Sequence, residues 1–266
     1  MKPFIRKKNE LLTAFRTVYP DIIGAYEKIR FSTKNLPESQ FLYGEQAPEP
    51  LLVTENGVQF ATYLNEGLMT GIFLDQKEVR GRLVDGFAVG KTVLNMFSYT
   101  GAFSVAAAMG GAVATTSVDL AKRSLPKTTE QFEVNHLNLA PQKIIVMDVF
   151  DYFKYASRKD LRYDMIILDP PSFARNKKKV FSVAKNYGEL VKDSIDILTD
   201  KGTLIASTNA ANLSLAKYQK MVITALQEKN VRYKITDTYQ LPADFQVNSN
   251  FPEGNYLKVL FIEIEK

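Results

Sequence analysis

From Gly90 onward one pattern repeats: a short apolar run, a turn, then a stretch with apolar residues at helical spacing. Strands are expected at 91–97, 114–118, 143–147, 163–168 and 203–207, and helices at 102–109, 124–136, 149–156 and 183–198. A strand followed by a helix and another strand must cross over, and crossovers make parallel neighbours. The expected fold class is therefore α/β: a mostly parallel, doubly wound, Rossmann-like sheet with helices on both faces. Alternating runs at 231–239 and 256–264 could finish the sheet as an antiparallel pair. A ligand of such a sheet lies at the carboxyl ends of the strands.

Residues 1–71 read differently, as a small α+β domain preceding the main domain at 72–266. An amphipathic stretch at 9–16 leads into a turn-rich segment with Pro37, Pro48 and Pro50. The alternating run 51–63 is centred on Asn56-Gly57, a pair suited to the type I′ turn of a β-hairpin. No stretch approaches the roughly 18 apolar residues of a membrane span, and the basic start has no apolar core behind it. A cytoplasmic protein without membrane association is expected. The chain has no cysteine, which excludes disulfides, thiolate metal sites and a cysteine nucleophile. A single histidine, His136, leaves no His/Cys cluster, so no metal is expected. The net charge of +5 leans towards a polyanionic partner.

The strand ends carry the candidate chemistry. After the first strand, Phe97-Ser98-Tyr99-Thr100-Gly101 runs into a helix of small residues, a turn that lets backbone N–H groups approach a ligand. Asp119 ends the second strand about 20 residues on, where a carboxylate can grip ribose hydroxyls or cap the next helix. Asp148 follows the third strand, and could accept from an adenine amino group or serve only as a cap. These features admit a dinucleotide or S-adenosylmethionine (SAM). Asp169-Pro170-Pro171-Ser172-Phe173, after the fourth strand, decides for SAM. Two prolines stiffen the loop and remove two N–H donors, leaving carbonyls and the Asp169 carboxylate as acceptors. Phe173 adds a face on which a base can stack. Asp169, Pro170 and Phe173 are the expected catalytic group.

With these motifs in view, the chain resembles the bacterial SAM-dependent methyltransferases of large-subunit ribosomal RNA, including cytosine-C5 enzymes and relatives that make 7-methylguanine. The resemblance runs from about Leu51 to Lys266. It rests on Thr70-Gly71-Ile72-Phe73-Leu74-Asp75-Gln76 with Arg80, on the Phe97 to Gly101 loop, on Ser117-Val118-Asp119, on the Asp169 to Phe173 loop and on Phe251 to Lys258. It implies a class I methyltransferase in which Phe97 to Gly101 wrap the methionine part of SAM, Asp119 binds the ribose and Asp148 faces the adenine. Asp169 is implied to lie beside the transferred methyl group, with Asp75, Gln76 and Arg80 approaching from the segment before the sheet.

Three departures qualify it. Asn95 stands where many such enzymes carry an acidic residue near the cofactor's amino group. The family's compact, β-rich N-terminal RNA-binding domain is expected to be missing. The cytosine-C5 members use a cysteine, but here the corresponding strand reads Ile205-Ala206-Ser207-Thr208-Asn209-Ala210. Without a covalent adduct carbon-5 is a poor acceptor, so a ring nitrogen or exocyclic amine of an RNA base is expected instead. Arg175, Lys177, Lys178 and Lys179, just beyond the proline loop, are expected to meet phosphates. Asn209 and Asn212 could read a base edge or serve as turn and cap residues. A nicotinamide-dependent oxidoreductase and a non-catalytic RNA-binding protein are the competing readings. The oligomeric state is left open, a homodimer included.

Overall fold

The computed structural model describes residues 7–31, 37–176 and 179–266, and the side chains of 175, 176, 179 and 180 lie outside the description. It divides into two compact units, Met1–Val53 with Ala61–Gly71, and Thr54–Phe60 with Ile72–Lys266.

In the smaller unit, helix α1 (Lys8–Val18) buries none of its residues, although its apolar positions recur at helical spacing. Strands β1 (Gly24–Lys28) and β2 (Ser39–Gly44) pair antiparallel, a hairpin hidden in the segment read as turn-rich. Lys28 Nζ donates to the carbonyls of Leu64, Glu66 and Gly67, gathering the end of the unit on one ammonium. Strands β3 (Leu51–Glu55) and β4 (Val58–Thr62) form the expected hairpin. Asn56 and Gly57 take φ of 52° and 75°, the left-handed pair that a type I′ turn requires.

The larger unit is built on seven strands: β5 (Thr92–Met96), β6 (Ala114–Asp119), β7 (Gln142–Val146), β8 (Tyr163–Leu168), β11 (Leu198–Thr208), β12 (Arg232–Tyr239) and β13 (Lys258–Glu265). Their order is β12-β13-β11-β8-β5-β6-β7, with β13 antiparallel to both β11 and β12 and the rest parallel. Between β7 and β8 the chain returns to the far side of β5, so β5 lies between β6 and β8. The order reverses there, which puts the binding crevice at the carboxyl end of β5.

The strands are apolar on both faces because both are covered. Leu94, Met96, Ile166, Leu168, Leu204, Ala206, Leu260 and Ile262 pack into one core. Their sequence neighbours Val93, Met165, Ile167, Ile205, Val259 and Phe261 pack into the other. The first core includes residues of α5 (Val149–Arg158), α6 (Val183–Ile197) and α7 (Leu215–Glu228). The second includes residues of α2 (Lys77–Arg82) and α3 (Ala102–Met109). Helix α4 (Ser124–Glu133) connects β6 to β7. A second small hairpin, β9 (Phe173–Asn176) and β10 (Lys179–Ser182), occupies the stretch read as a basic loop. Among the described residues no helix is long and apolar enough to cross a membrane.

Candidate active site

The loop after β5 is held in a conformation that ordinary residues resist. Phe97, Tyr99 and Gly101 all take left-handed φ, at 61°, 51° and 78°. For Phe and Tyr this costs roughly 1–2 kcal/mol each, and such strain persists only when neighbours fix it. Asp119 is one of those neighbours. One oxygen accepts the Tyr99 N–H at 2.9 Å, and the other accepts the Ala121 N–H at 2.8 Å. The carboxylate at the end of β6 thus ties together the two loops that border the crevice. Ser98 N–H donates to Val118 O at 3.0 Å and Gly101 N–H to Ser98 O at 2.7 Å, completing the turn. A Cβ on Gly101 would come within 2.4 Å of Thr128 Cγ2, so a glycine is needed for space as well as for φ.

Beneath this loop Asn95 is fully buried. Its Nδ2 donates to Ser104 Oγ at 3.0 Å, and Ser104 in turn meets Ser117 Oγ at 2.7 Å. Asn95 Oδ1 has no partner, and neither does Ser98 Oγ. Asp148 caps α5, accepting from Phe150 N–H at 3.0 Å. A groove of about 950 Å³ runs from Asp148 and Phe150 past Lys154 and Arg158 to Ala174 and Phe181 of the β9–β10 hairpin. Asp169 is not among its lining residues.

At the end of β8, Asp169 Oδ1 accepts from Ser207 Oγ at 2.8 Å and from Gln76 Nε2 at 3.2 Å. Gln76 Nε2 also donates to Ser207 Oγ at 2.8 Å, which leaves its buried Oε1 without a partner. Asp75 Oδ1 is likewise buried and unpartnered. Burial pushes the Asp169 carboxyl up to about 6, opposed by the Ser207 hydrogen bond and aided by the negative charge of Asp75. Burial, with the charge and hydrogen bond of Asp75, pushes Tyr256 up to about 12. Arg80 is buried and bound elsewhere: Nε and Nη2 clasp Glu55 at 2.6 and 2.8 Å, and Nη2 also reaches Phe73 O at 2.8 Å. It braces the Phe73 to Gln76 segment and does not present a free guanidinium.

The structure thus brings Asp75, Gln76 and Asp169 together, and joins the Phe97 to Gly101 loop to Asp119. Phe73 and Tyr99 rings stand 5.5 Å apart, linking the two groups. Pro170 is buried and Phe173 is 59% exposed at the start of β9. Asn209 and Asn212 are exposed beyond β11. Lys177 and Lys178 lie outside the described residues, as do the side chains of Arg175 and Lys179. Two partners escaped the sequence reading: Glu55 for Arg80, and Ser207 for Asp169. For Ser207 a signal existed, since each residue ends an apolar run and the register pairs Ala206 with Leu168 in adjacent strands.

The residues fit a ligand bearing an ammonium and hydroxyls. Asn95, Asp75 and Gln76 offer buried acceptors without partners, the Gly101 turn leaves room for close approach, and Asp119 retains lone pairs beyond its two backbone bonds. Among the described residues there is no group of three or more His, Cys, Asp or Glu able to hold a metal.

Comparison with known proteins agrees with this fit. The family model described as S-adenosylmethionine-dependent methyltransferase matches residues 18–229. A Bacillus subtilis (strain 168) protein, provisionally named a ribosomal RNA large subunit methyltransferase, is 53% identical over 258 residues, covering 96% of this chain and 65% of its own length. The ribosomal RNA large subunit methyltransferase of Deinococcus radiodurans is 31% identical, over 99% of this chain and 64% of its own. A crystal structure of a provisionally assigned methyltransferase in complex with S-adenosylhomocysteine superposes with a TM-score of 0.91 at 54% identity, covering 98% of this chain and 66% of that one. The chain therefore spans about two thirds of the length of these relatives. Fold, strand-end site and family match lead to one assignment: the chain belongs to the S-adenosylmethionine-dependent methyltransferase family.

Proposed function

We propose that this chain methylates a base in RNA, ribosomal RNA by the names of its relatives, and that the methyl group goes to nitrogen rather than to carbon-5 of cytosine. When bound, SAM supplies an electrophilic methyl group on its sulfonium, so the protein's task is to bind, align and exclude water. Asn95, the Phe97 to Gly101 loop, Asp119 and Asp148 would hold the cofactor, with Asp75 and Gln76 beside it. Such a substrate implies work in the cytoplasm. In this reading Arg175, Lys177, Lys178 and Lys179 contribute to RNA binding.

The observation that carries the choice of nitrogen is the state of Ser207. It is 1% exposed, its proton is directed to Asp169 and it accepts from Gln76. A nucleophile needs a lone pair open to the base; one of this hydroxyl's two accepts from Gln76, and burial screens the oxygen from an incoming C6. Thr208 is equally buried, and its Oγ1 accepts from Ala210 N–H at 3.2 Å. With no cysteine in the chain and both hydroxyls buried, the end of β11 offers no open nucleophile to add to C6 of a cytosine. Asp169 and Gln76 instead present acceptor oxygens, which suit an exocyclic amine carrying N–H groups better than guanine N7 beside its O6 acceptor. The amine would bond to the methyl carbon as the carbon–sulfur bond breaks and S-adenosylhomocysteine leaves, and its surplus proton would pass to Asp169 Oδ2.

Calorimetry with SAM against NAD tests the cofactor, and tighter binding of NAD would overturn it. Turnover on ribosomal RNA separates catalysis from a binding-only role. Mass spectrometry of the product nucleosides names the atom: an N-methylated base is expected, whereas 5-methylcytosine, or a denaturation-resistant adduct with 5-fluorocytosine RNA, would refute the nitrogen assignment.

A further inference from the structure

We propose that Ser207 is a positioning residue for Asp169: together with Gln76 it occupies Oδ1 and leaves Oδ2 as the one acceptor the carboxylate offers to a substrate N–H. Ser207 Oγ donates to Oδ1 at 2.8 Å and Gln76 Nε2 reaches the same oxygen at 3.2 Å, while no hydrogen bond within the described residues engages Oδ2. The three side chains close a ring, because Gln76 also donates to Ser207 at 2.8 Å. That ring fixes the amide of Gln76, since only its nitrogen can serve both partners, and so aims the unpartnered Oε1 away from them.

The support behind Ser207 is also built in. Tyr187 OH donates to Ser207 O at 2.8 Å, and Tyr218 OH donates to Tyr187 OH at 2.7 Å, both rings buried. Burial pushes both phenols up, so they stay protonated donors. The groups facing Asp169 are therefore Asp75 and Gln76 from the segment before α2, Arg80 from α2, Ser207 from β11, and the two tyrosines from α6 and α7. Ser207 and Asp75 act on the carboxylate in opposite senses. The hydroxyl bond favours the ionised form, and the Asp75 charge disfavours it. Position, not nucleophilicity, is what the serine supplies.

The catalytic consequence rests on the methyltransferase reading, but the network itself can be read without cofactor or RNA. In the full chain labelled at aspartate Cγ, the Asp169 signal, assigned by its absence in Asp169→Asn, is titrated by carbon NMR. Ser207→Ala should move the midpoint up from about 6 by on the order of one pH unit, and Asp75→Asn should move it down. Ser207→Thr, which keeps a hydroxyl, should return towards wild type, and Gln76→Ala should rise like Ser207→Ala. With RNA and SAM, Ser207→Ala should shift the acid limb of kcat by the same amount while SAM affinity changes less than about twofold. Midpoints that stay put, or that move in one direction for both Ser207→Ala and Asp75→Asn, would overturn the proposal. Failure of the wild type to bind SAM would instead overturn the function proposed above, leaving the titration result to stand on its own.

Discussion

Replacing Asp169 with asparagine should abolish turnover and make the protein more stable, and the size of the gain follows from the carboxyl's environment. An amide of the same shape keeps an oxygen for the bonds from Ser207 and Gln76, but it carries no charge to desolvate. Asp169 is pushed from an ordinary value of 3.8 to about 6, chiefly by burial. A rise of that size corresponds to roughly 3 kcal/mol, and partial solvent access reduces it to about 1–3 kcal/mol. The sign is fixed by linkage: a raised folded pKa means that the group's contribution to stability is fully present below 3.8 and is lost as pH rises through about 6. Asp169→Asn should therefore exceed wild type by about 1–3 kcal/mol at pH 8 and by almost nothing at pH 4. Urea unfolding at the two pH values measures it, as a midpoint shift of roughly 0.5–1 M at pH 8. A variant no more stable than wild type at pH 8, or one whose gain is the same at both pH values, would refute the reasoning.

Three further outcomes are expected. Asp119→Ala frees the Tyr99 and Ala121 N–H groups and would remove the proposed ribose contact, so SAM affinity by calorimetry should fall by about 1–3 kcal/mol, with Asp119→Asn intermediate. Gly101→Ala must carry a left-handed alanine and a Cβ 2.4 Å from Thr128 Cγ2, which should lower thermal stability by about 1–3 kcal/mol; adding Thr128→Ala relieves the clash but not the backbone, so rescue should be partial. Replacing Arg175, Lys177, Lys178 and Lys179 with glutamine should weaken RNA binding and flatten its salt dependence by up to about 0.7–0.9 log units for each phosphate no longer neutralised, leaving SAM affinity unchanged.

The main sheet was legible because its signal is local. Apolar runs of strand length, separated by helical spacing, hold their meaning whatever the rest of the chain does, and the 163–168 and 102–109 assignments coincide with β8 and α3. The Asn56-Gly57 turn was readable for the same reason. What escaped depends on partners far away in sequence. Helix α7 buries Tyr218, Val222, Ala225 and Leu226 at helical spacing, yet no element was expected between Asn212 and Asn230. The β9–β10 hairpin follows the proline loop where the sequence showed only a basic run expected to meet phosphates. The amphipathic pattern of α1 was visible, but the pattern does not show what it packs on, and no residue of the helix is buried.

The site divides along the same line. Acidic residues at strand ends can be found by counting, but what each does depends on which hydrogen bonds the fold has already assigned to it. Asp119 and Asp148 each accept from backbone N–H groups, so the reading as cap and the reading as ligand group describe one carboxylate with more lone pairs than the backbone uses. Arg80 illustrates the reverse. A guanidinium near a site invites a ligand role, yet its bidentate pairing with Glu55 is shielded from water, and breaking such a buried pair costs about 3–5 kcal/mol. Its charge still reaches Asp169 and opposes the effect of burial. The same logic decides Ser207. At the end of β11 a serine looks like a weak substitute for a cysteine, and only the register with β8 shows that its hydroxyl is already bound to Asp169. A buried hydroxyl whose proton is directed to a carboxylate and one of whose lone pairs is taken by an amide is a fixed support. In the function proposed above, the acceptor oxygen left open beside it, Asp169 Oδ2, is what the site would offer a base, and a substrate atom bearing hydrogen would suit it.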